Sequence, residues 1–188
     1  MENYKKNLEL LTKNFVYSKE MEHDACGVGL IASTEGKKSR AIVEYGIEAL
    51  KAVWHRGAVD ADGKTGDGAG IHVEIPKDFF IEKIQVTGHD YDNSEICVGM
   101  IFLPRNDYSA QENCKTIVES ELTKNNFSIY GWRQVPVNPK VLGEKALQTM
   151  PEIIQVLFKS NDPNLLDKNL ERKIYETRKR IENKAFDA

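Results

Sequence analysis

The feature that most constrains the fold is an order of short apolar runs separated by amphipathic helical segments. EICVGMIFL is apolar on both alternations, which predicts a central strand covered on both faces. FSIYGWRQVPV and EIIQVLF each predict a further strand. Between the first two runs lies a helical segment whose apolar residues share one face: Cys114, Ile117, Val118 and Leu122. Strands interleaved with helices indicate helices packed on layered sheets.

Further elements flank this central part. Residues 26–33 (CGVGLIAS) are short, apolar and rich in glycine, which predicts a buried strand. A helix is predicted from the cap residue Ser39 to about Trp54. IHVEI predicts a strand, and Pro76 opens a short helix. The stretch NLLDKNLERKIYETRKRIENK predicts an amphipathic helix with an apolar stripe made of Leu166, Leu170, Ile174 and Ile181.

Composition excludes several classes of function. The formal net charge of -3 and the alternating signs of charge leave no broad basic face, so we expect no nucleic-acid partner. No run approaches the roughly 20 apolar residues that span a bilayer, so we expect no membrane partner. Three cysteines cannot form a closed disulfide framework, and a reducing cytoplasm is expected. No metal is expected, because the histidines have no ligand spacing: His23, His55, His72 and His89.

An abrupt change of composition at Cys26 separates a polar leader, residues 1–25, from the start of the fold. Small, flexible neighbours in DACGVG leave the Cys26 sulfur and the preceding peptide bond accessible. If Cys26 stood first in the chain, its α-amine, with a pKa of roughly 7.7–8.0, could accept the thiol proton. On pattern alone, Cys26 also fits a small core side chain, which is the role predicted for Cys97 and Cys114.

A glycine-rich segment from Trp54 to Gly70 (WHRGAVDADGKTGDGAG) is the second candidate site. It fits a solvated turn, a phosphate cradle or an active-site wall, but it carries neither a GK[ST] nor a GxGxxG motif. Arg56 could hold a carboxylate or brace a backbone turn. Asp67 fits a turn residue better than a catalytic base.

Taken together, ACGVGLIAS, KAVWHRGAVDADGKTGDGAGI, the strand-to-PKDFF junction and ERKIYETRKRIE resemble the N-terminal glutaminase domain of glutamate synthase large subunits. The cysteine-first and HRG elements are shared with class II glutamine amidotransferases generally. The resemblance implies an α+β, four-layer αββα N-terminal-nucleophile hydrolase fold, present in part over residues 26–188, with residues 1–25 as a propeptide. It implies that Cys26 attacks L-glutamine and that Arg56 and Gly57 shape its pocket.

The resemblance also implies partners and cofactors outside this segment. The full-length subunit is expected to hold FMN and an iron–sulfur cluster, and its electrons to come from a small subunit or ferredoxin. This chain is expected to be a fragment that holds no cofactor and hydrolyses little glutamine alone, since the family's Asn-Gly oxyanion pair does not occur in it. Two alternatives stay open: another class II amidotransferase, and a non-catalytic domain of the same fold.

Overall fold

A computed structural model describes residues 2–14, 27–54, 57–66 and 68–187 of the chain. They belong to two compact units, Met1–Gly57 and Ala58–Ala188. The helices are α1 Glu2–Lys13, α2 Arg40–Ala52, α3 Lys77–Val86, α4 Tyr108–Lys124, α5 Glu144–Gln148 and α6 Asp167–Phe186. The strands are β1 Cys97–Leu103, β2 Phe127–Gln134 and β3 Glu152–Ser160, and a 3-10 turn spans Pro139–Val141.

In the first unit, α2 confirms the predicted helix and its cap. The Ser39 hydroxyl accepts a hydrogen bond from the Ile42 amide at 3.4 Å, which satisfies an N-terminal donor that the helix cannot pair itself. Helix α1 lies in the leader and was not predicted, although Leu8 and Leu11 have helical spacing in the sequence.

The buried strand predicted for residues 26–33 is wrong over its described part, 27–33. Val28 and Leu30 are 94% and 88% exposed, and no regular strand forms there. IHVEI, residues 71–75, is not a strand either, and Ile71 and Val73 stay nearly half exposed. An apolar run becomes a strand only where a ladder partner takes up its backbone hydrogen bonds, and the ladders of the described residues do not reach either run.

The second unit is built on an antiparallel sheet with strand order β1-β3-β2. Val156 of β3 lies between Gly99 of β1 and Trp132 of β2. The central strand is therefore β3, and the prediction that EICVGMIFL lies centrally is wrong. As an edge strand, β1 leaves Met100 and Phe102 50% and 64% exposed, whereas Leu157 of β3 is fully buried.

Helices cover both faces of this sheet. Helices α4 and α6 pack on one face, around a cluster of Cys97, Val118, Leu122, Phe127, Val156, Phe158 and Leu170. Helix α3 packs on the other, around a cluster of Phe80, Ile84, Ile96, Tyr130 and Leu157. The predicted apolar stripes of α4 and α6 are confirmed, except that Leu166 precedes α6 and is 52% exposed. The α+β class with an antiparallel sheet is also confirmed.

Within the part of the chain that the structure describes, no helix has the length and apolarity needed to cross a membrane.

Candidate functional site

Some of the predicted site residues lie within the described part of the chain, and others lie outside it. Cys26 and Arg56 lie outside the described residues, as do His23, His55 and Asp67. Gly57 is described, and its amide donates to the Trp54 carbonyl, which follows α2, at 3.0 Å. A Cβ atom built on Gly57 would lie 3.3 Å from that carbonyl oxygen, so glycine suits this close approach.

Residues 58–66, which we name the glycine hairpin, follow directly in sequence. Val59 and Gly66 form an antiparallel bridge at its base, and the Asp60 amide donates to the Thr65 carbonyl at 2.7 Å. At the tip, Gly63 has a φ of +68°, a left-handed conformation that glycine adopts without strain. The glycine hairpin is therefore a defined turn rather than an open phosphate cradle.

Asp62 fixes the shape of the glycine hairpin from inside. Its Oδ1 accepts from the Lys64 amide at 2.9 Å and the Thr65 amide at 2.7 Å, and its Oδ2 accepts from the Thr65 hydroxyl at 2.5 Å. The Thr65 hydroxyl and these amides favour the ionised carboxylate, and they lower the pKa of Asp62 to about 2. So weakly basic a carboxylate is suited to holding a turn and not to accepting a proton in catalysis.

The glycine hairpin is attached to the start of α5. Lys145 donates to Asp60 Oδ2 at 2.5 Å, across 85 positions of sequence. A Cβ atom on Gly143 would collide with the Thr65 hydroxyl, the Thr65 amide and Asp62 Oδ2, so the two segments touch through glycine backbone. Neither this contact nor α5 was predicted, because nothing in the local pattern links residues 60 and 145.

The two described cysteines have packing roles, as predicted. Cys97 is 4% exposed on β1, and burial raises the pKa of its thiol to about 12, so it is not a thiolate at neutral pH. Cys114 is half-buried on α4. In the described ranges, no cluster of three histidine, cysteine or carboxylate side chains is arranged to hold a metal ion.

The family model of the class II glutamine amidotransferases matches residues 26–188, beginning at Cys26. The chain belongs to this family. The predicted fold is thereby identified as the N-terminal-nucleophile hydrolase fold of class II amidotransferases, and the sheet between helices in the second unit is consistent with part of it.

Individual relatives indicate which class II amidotransferases the chain is similar to. The "glutamate synthase (NADPH) large chain" of Azospirillum brasilense is 52% identical over 179 residues, 95% of this chain and 12% of that protein. A "ferredoxin-dependent glutamate synthase" of Pyropia yezoensis is 39% identical over 92% of this chain and 11% of its own length. One from Arabidopsis thaliana, "chloroplastic/mitochondrial", is 40% identical over 86% of this chain and 10% of its own length. The chain thus spans about a tenth of the length of these relatives.

Proposed function

We propose that this chain is the glutaminase part of a glutamate synthase large subunit, hydrolysing L-glutamine to glutamate and ammonia through a Cys26 thioester. The observation that carries the proposal is the family match, which begins at Cys26. Cys26 is also the residue that the sequence analysis identified as a candidate nucleophile. The glutamate synthase names of the relatives support this branch over other class II amidotransferases.

The proposed chemistry uses Cys26 as both nucleophile and base. Its α-amine takes the thiol proton, the sulfur bonds to the carboxamide carbon, and the carbon–nitrogen bond breaks as the amine passes that proton to departing ammonia. Water, deprotonated by the same amine, then cleaves the thioester, which releases glutamate and restores the thiol. The amine is free only after residues 1–25 are removed, so we assign these residues, which include α1, to a propeptide.

Arg56 and Gly57 have auxiliary roles in this proposal. Gly57 follows α2, and its amide donates to the Trp54 carbonyl. Arg56 would hold the substrate carboxylate or brace the backbone, since a guanidinium can do either by paired hydrogen bonds.

Ammonia is proposed to reach a distant site of the cytoplasmic full-length enzyme, where 2-oxoglutarate becomes glutamate. FMN and an iron–sulfur cluster would serve that site, with electrons from a small subunit or from ferredoxin. The residues of this chain do not fit the cluster, because a cluster needs about four cysteine thiolates, whereas the sequence has three cysteines and Cys97 is buried in the sheet.

The test is covalent trapping in the full-length, processed protein. We expect the diazoketone analogue of L-glutamine to label Cys26, and an excess of glutamine to prevent the labelling. Cys97 and Cys114 serve as internal controls and stay unlabelled, because packing shields them. Peptide mass spectrometry reads out the adduct. An inert Cys26 would indicate a non-catalytic domain instead.

A further inference from the structure

We infer that a groove between the C-terminal ends of α4 and α6 binds a phosphoryl dianion, either free phosphate or a phosphomonoester. The groove lies entirely within the second unit, and the inference is independent of the proposed glutaminase function. Charged and amide side chains line this groove, which we name the α4–α6 groove: Glu121, Lys124, Asn125, Arg180, Asn183 and Lys184.

The charges of the α4–α6 groove do not balance. Three cations, Lys124, Arg180 and Lys184, share it with a single carboxylate, that of Glu121, which leaves a formal net charge of +2. The chain as a whole has the opposite sign, with a net charge of -3. A phosphoryl group carries about −1.5 to −2 charges near neutral pH, which matches the excess in the groove.

Glu121 holds two of the cations in place. Its side chain is only 5% exposed, and its Oε1 accepts from Lys184 at 2.5 Å and from Lys124 at 3.4 Å. Each ammonium has three N–H donors, and the two lysine side chains are 51% and 61% exposed, so donors remain for a ligand. Because the ammonium groups are already ordered, an anion that binds them has a smaller entropy cost.

Arg180 adds a guanidinium that is not neutralised. Arg178 and Lys179 both pair with Glu182, whereas no side chain among the described residues forms an ion pair with Arg180. Hydrogen bonding to Glu121 raises the pKa of Lys184, and the positive charge of Arg180 opposes this rise, so the two cations repel each other. An anion bound to both removes that repulsion, and the guanidinium fork suits two phosphoryl oxygens.

The size of the α4–α6 groove sets the kind of ligand and its affinity. The groove has a volume of about 390 Å³, which lies in the range of small-molecule sites, so a phosphomonoester fits as well as free phosphate. Because the groove is open to water, its charges are screened, and we expect a dissociation constant of about 1 mM.

The experiment measures protection of Arg180 from phenylglyoxal in the full-length protein, read out by peptide mass spectrometry at constant ionic strength. A site of this affinity is about 90% occupied at about 10 mM inorganic phosphate, so modification of Arg180 should slow about tenfold. Arg178 is the internal control, because it pairs with Glu182 outside the groove, and its rate should not change. Sodium chloride should not protect Arg180.

Variants test whether the groove itself binds the anion. Lys184→Met should abolish the protection of Arg180 by phosphate, and Lys184→Arg should retain it, because arginine keeps the charge. Lys179→Met, outside the groove, is the matched control and should leave the protection unchanged. Glu121→Gln should lower the phosphate concentration for half protection about fivefold, since it removes a charge that repels the ligand.

The Glu121→Gln variant separates ligand binding from a purely structural role of the cations. If the cations only join α4 to α6, this variant loosens their arrangement and cannot tighten phosphate binding. The inference is overturned by equal rates of Arg180 modification with and without phosphate, by equal protection of Arg178, or by protection that persists in Lys184→Met. Protection by inorganic phosphate but not by glycerol 3-phosphate supports a site for the free anion, and protection by both supports a phosphomonoester site.

Discussion

Apolar side chains are buried in the sheet of the second unit, whereas they are exposed in the segment around the proposed nucleophile. Leu157 in β3 is fully buried between two strands and under α3, whereas Val28 and Leu30, just after Cys26, are 94% and 88% exposed. Both segments are apolar in sequence. The difference shows that apolar residues bury themselves where neighbouring strands and helices complete the layer, and that pattern alone does not supply those neighbours.

The buried sheet stabilises the fold, whereas the segment around Cys26 is the one proposed to carry the chemistry. If this division is correct, substitutions in the two regions change different quantities.

Replacement of Cys26 has the largest expected effect, and it falls on activity. In the full-length protein, Cys26→Ala should lower kcat for glutamine hydrolysis by roughly 10³-fold or more, because the nucleophile is lost. Thermal stability should change little. Steady-state glutaminase assays and thermal melts measure the two quantities. A substantially active Cys26→Ala protein would refute the nucleophile assignment.

Truncation of a buried side chain in the sheet should instead lower the stability of the fold. Leu157 is 0% exposed in the central strand, so Leu157→Ala should lower the free energy of unfolding by about 2–5 kcal/mol through lost burial and a cavity. The matched control is Val28→Ala at a 94% exposed position, expected within about 0.5 kcal/mol of wild type. Urea unfolding measures both. Equal losses would mean that the two regions are packed alike.

The contact between α4 and α6 predicts a smaller, pH-dependent effect. Glu121 is 4% exposed, and its Oε1 accepts from Lys184 at 2.5 Å and from Lys124 at 3.4 Å. Hydrogen bonding to Lys184, and then to Lys124, lowers the pKa of Glu121 below its usual 4.5. A lowered pKa in the folded state means that ionised Glu121 stabilises the fold above about pH 4.5, and that this stability is lost as pH falls through the folded pKa.

Glu121→Gln should therefore lower Tm by a few degrees at pH 7, with the difference from wild type vanishing in acid. Glu176→Gln, which removes a half-exposed partner of Arg172 on α6, is the control and should show little difference at either pH. Thermal melts across the pH range test this. A difference for Glu121→Gln that persists at low pH would mean that its charge is not the cause.

The sequence predicted most of the second unit, because its signals are local. Helical spacing identified α4 and α6, and the apolar runs identified β1, β2 and β3. In the first unit, the Ser39 cap identified α2. Strand order was not predictable from the runs, because EICVGMIFL is as apolar as a central strand and yet lies at the edge of the sheet. That order depends on which strands pair across long sequence distances.

The candidate site was also predictable only where its signals are local in sequence. Cys26 and the glycine-rich segment were predicted as site residues from composition and resemblance, and the family match begins at Cys26. The ion pair of Lys145 with Asp60 was missed, since it joins two polar residues 85 positions apart in segments without periodicity. Contacts of this kind require the folded chain.

We propose that Cys26 acts as the first residue of a processed chain, and N-terminal peptide mass spectrometry of purified, active full-length protein tests this. We expect a mature N-terminal peptide that begins CGVGL, with residues 1–25 absent. A fully active protein that keeps residues 1–25 attached to Cys26 would contradict it, because the α-amine would then be bound in a peptide and unable to accept the thiol proton.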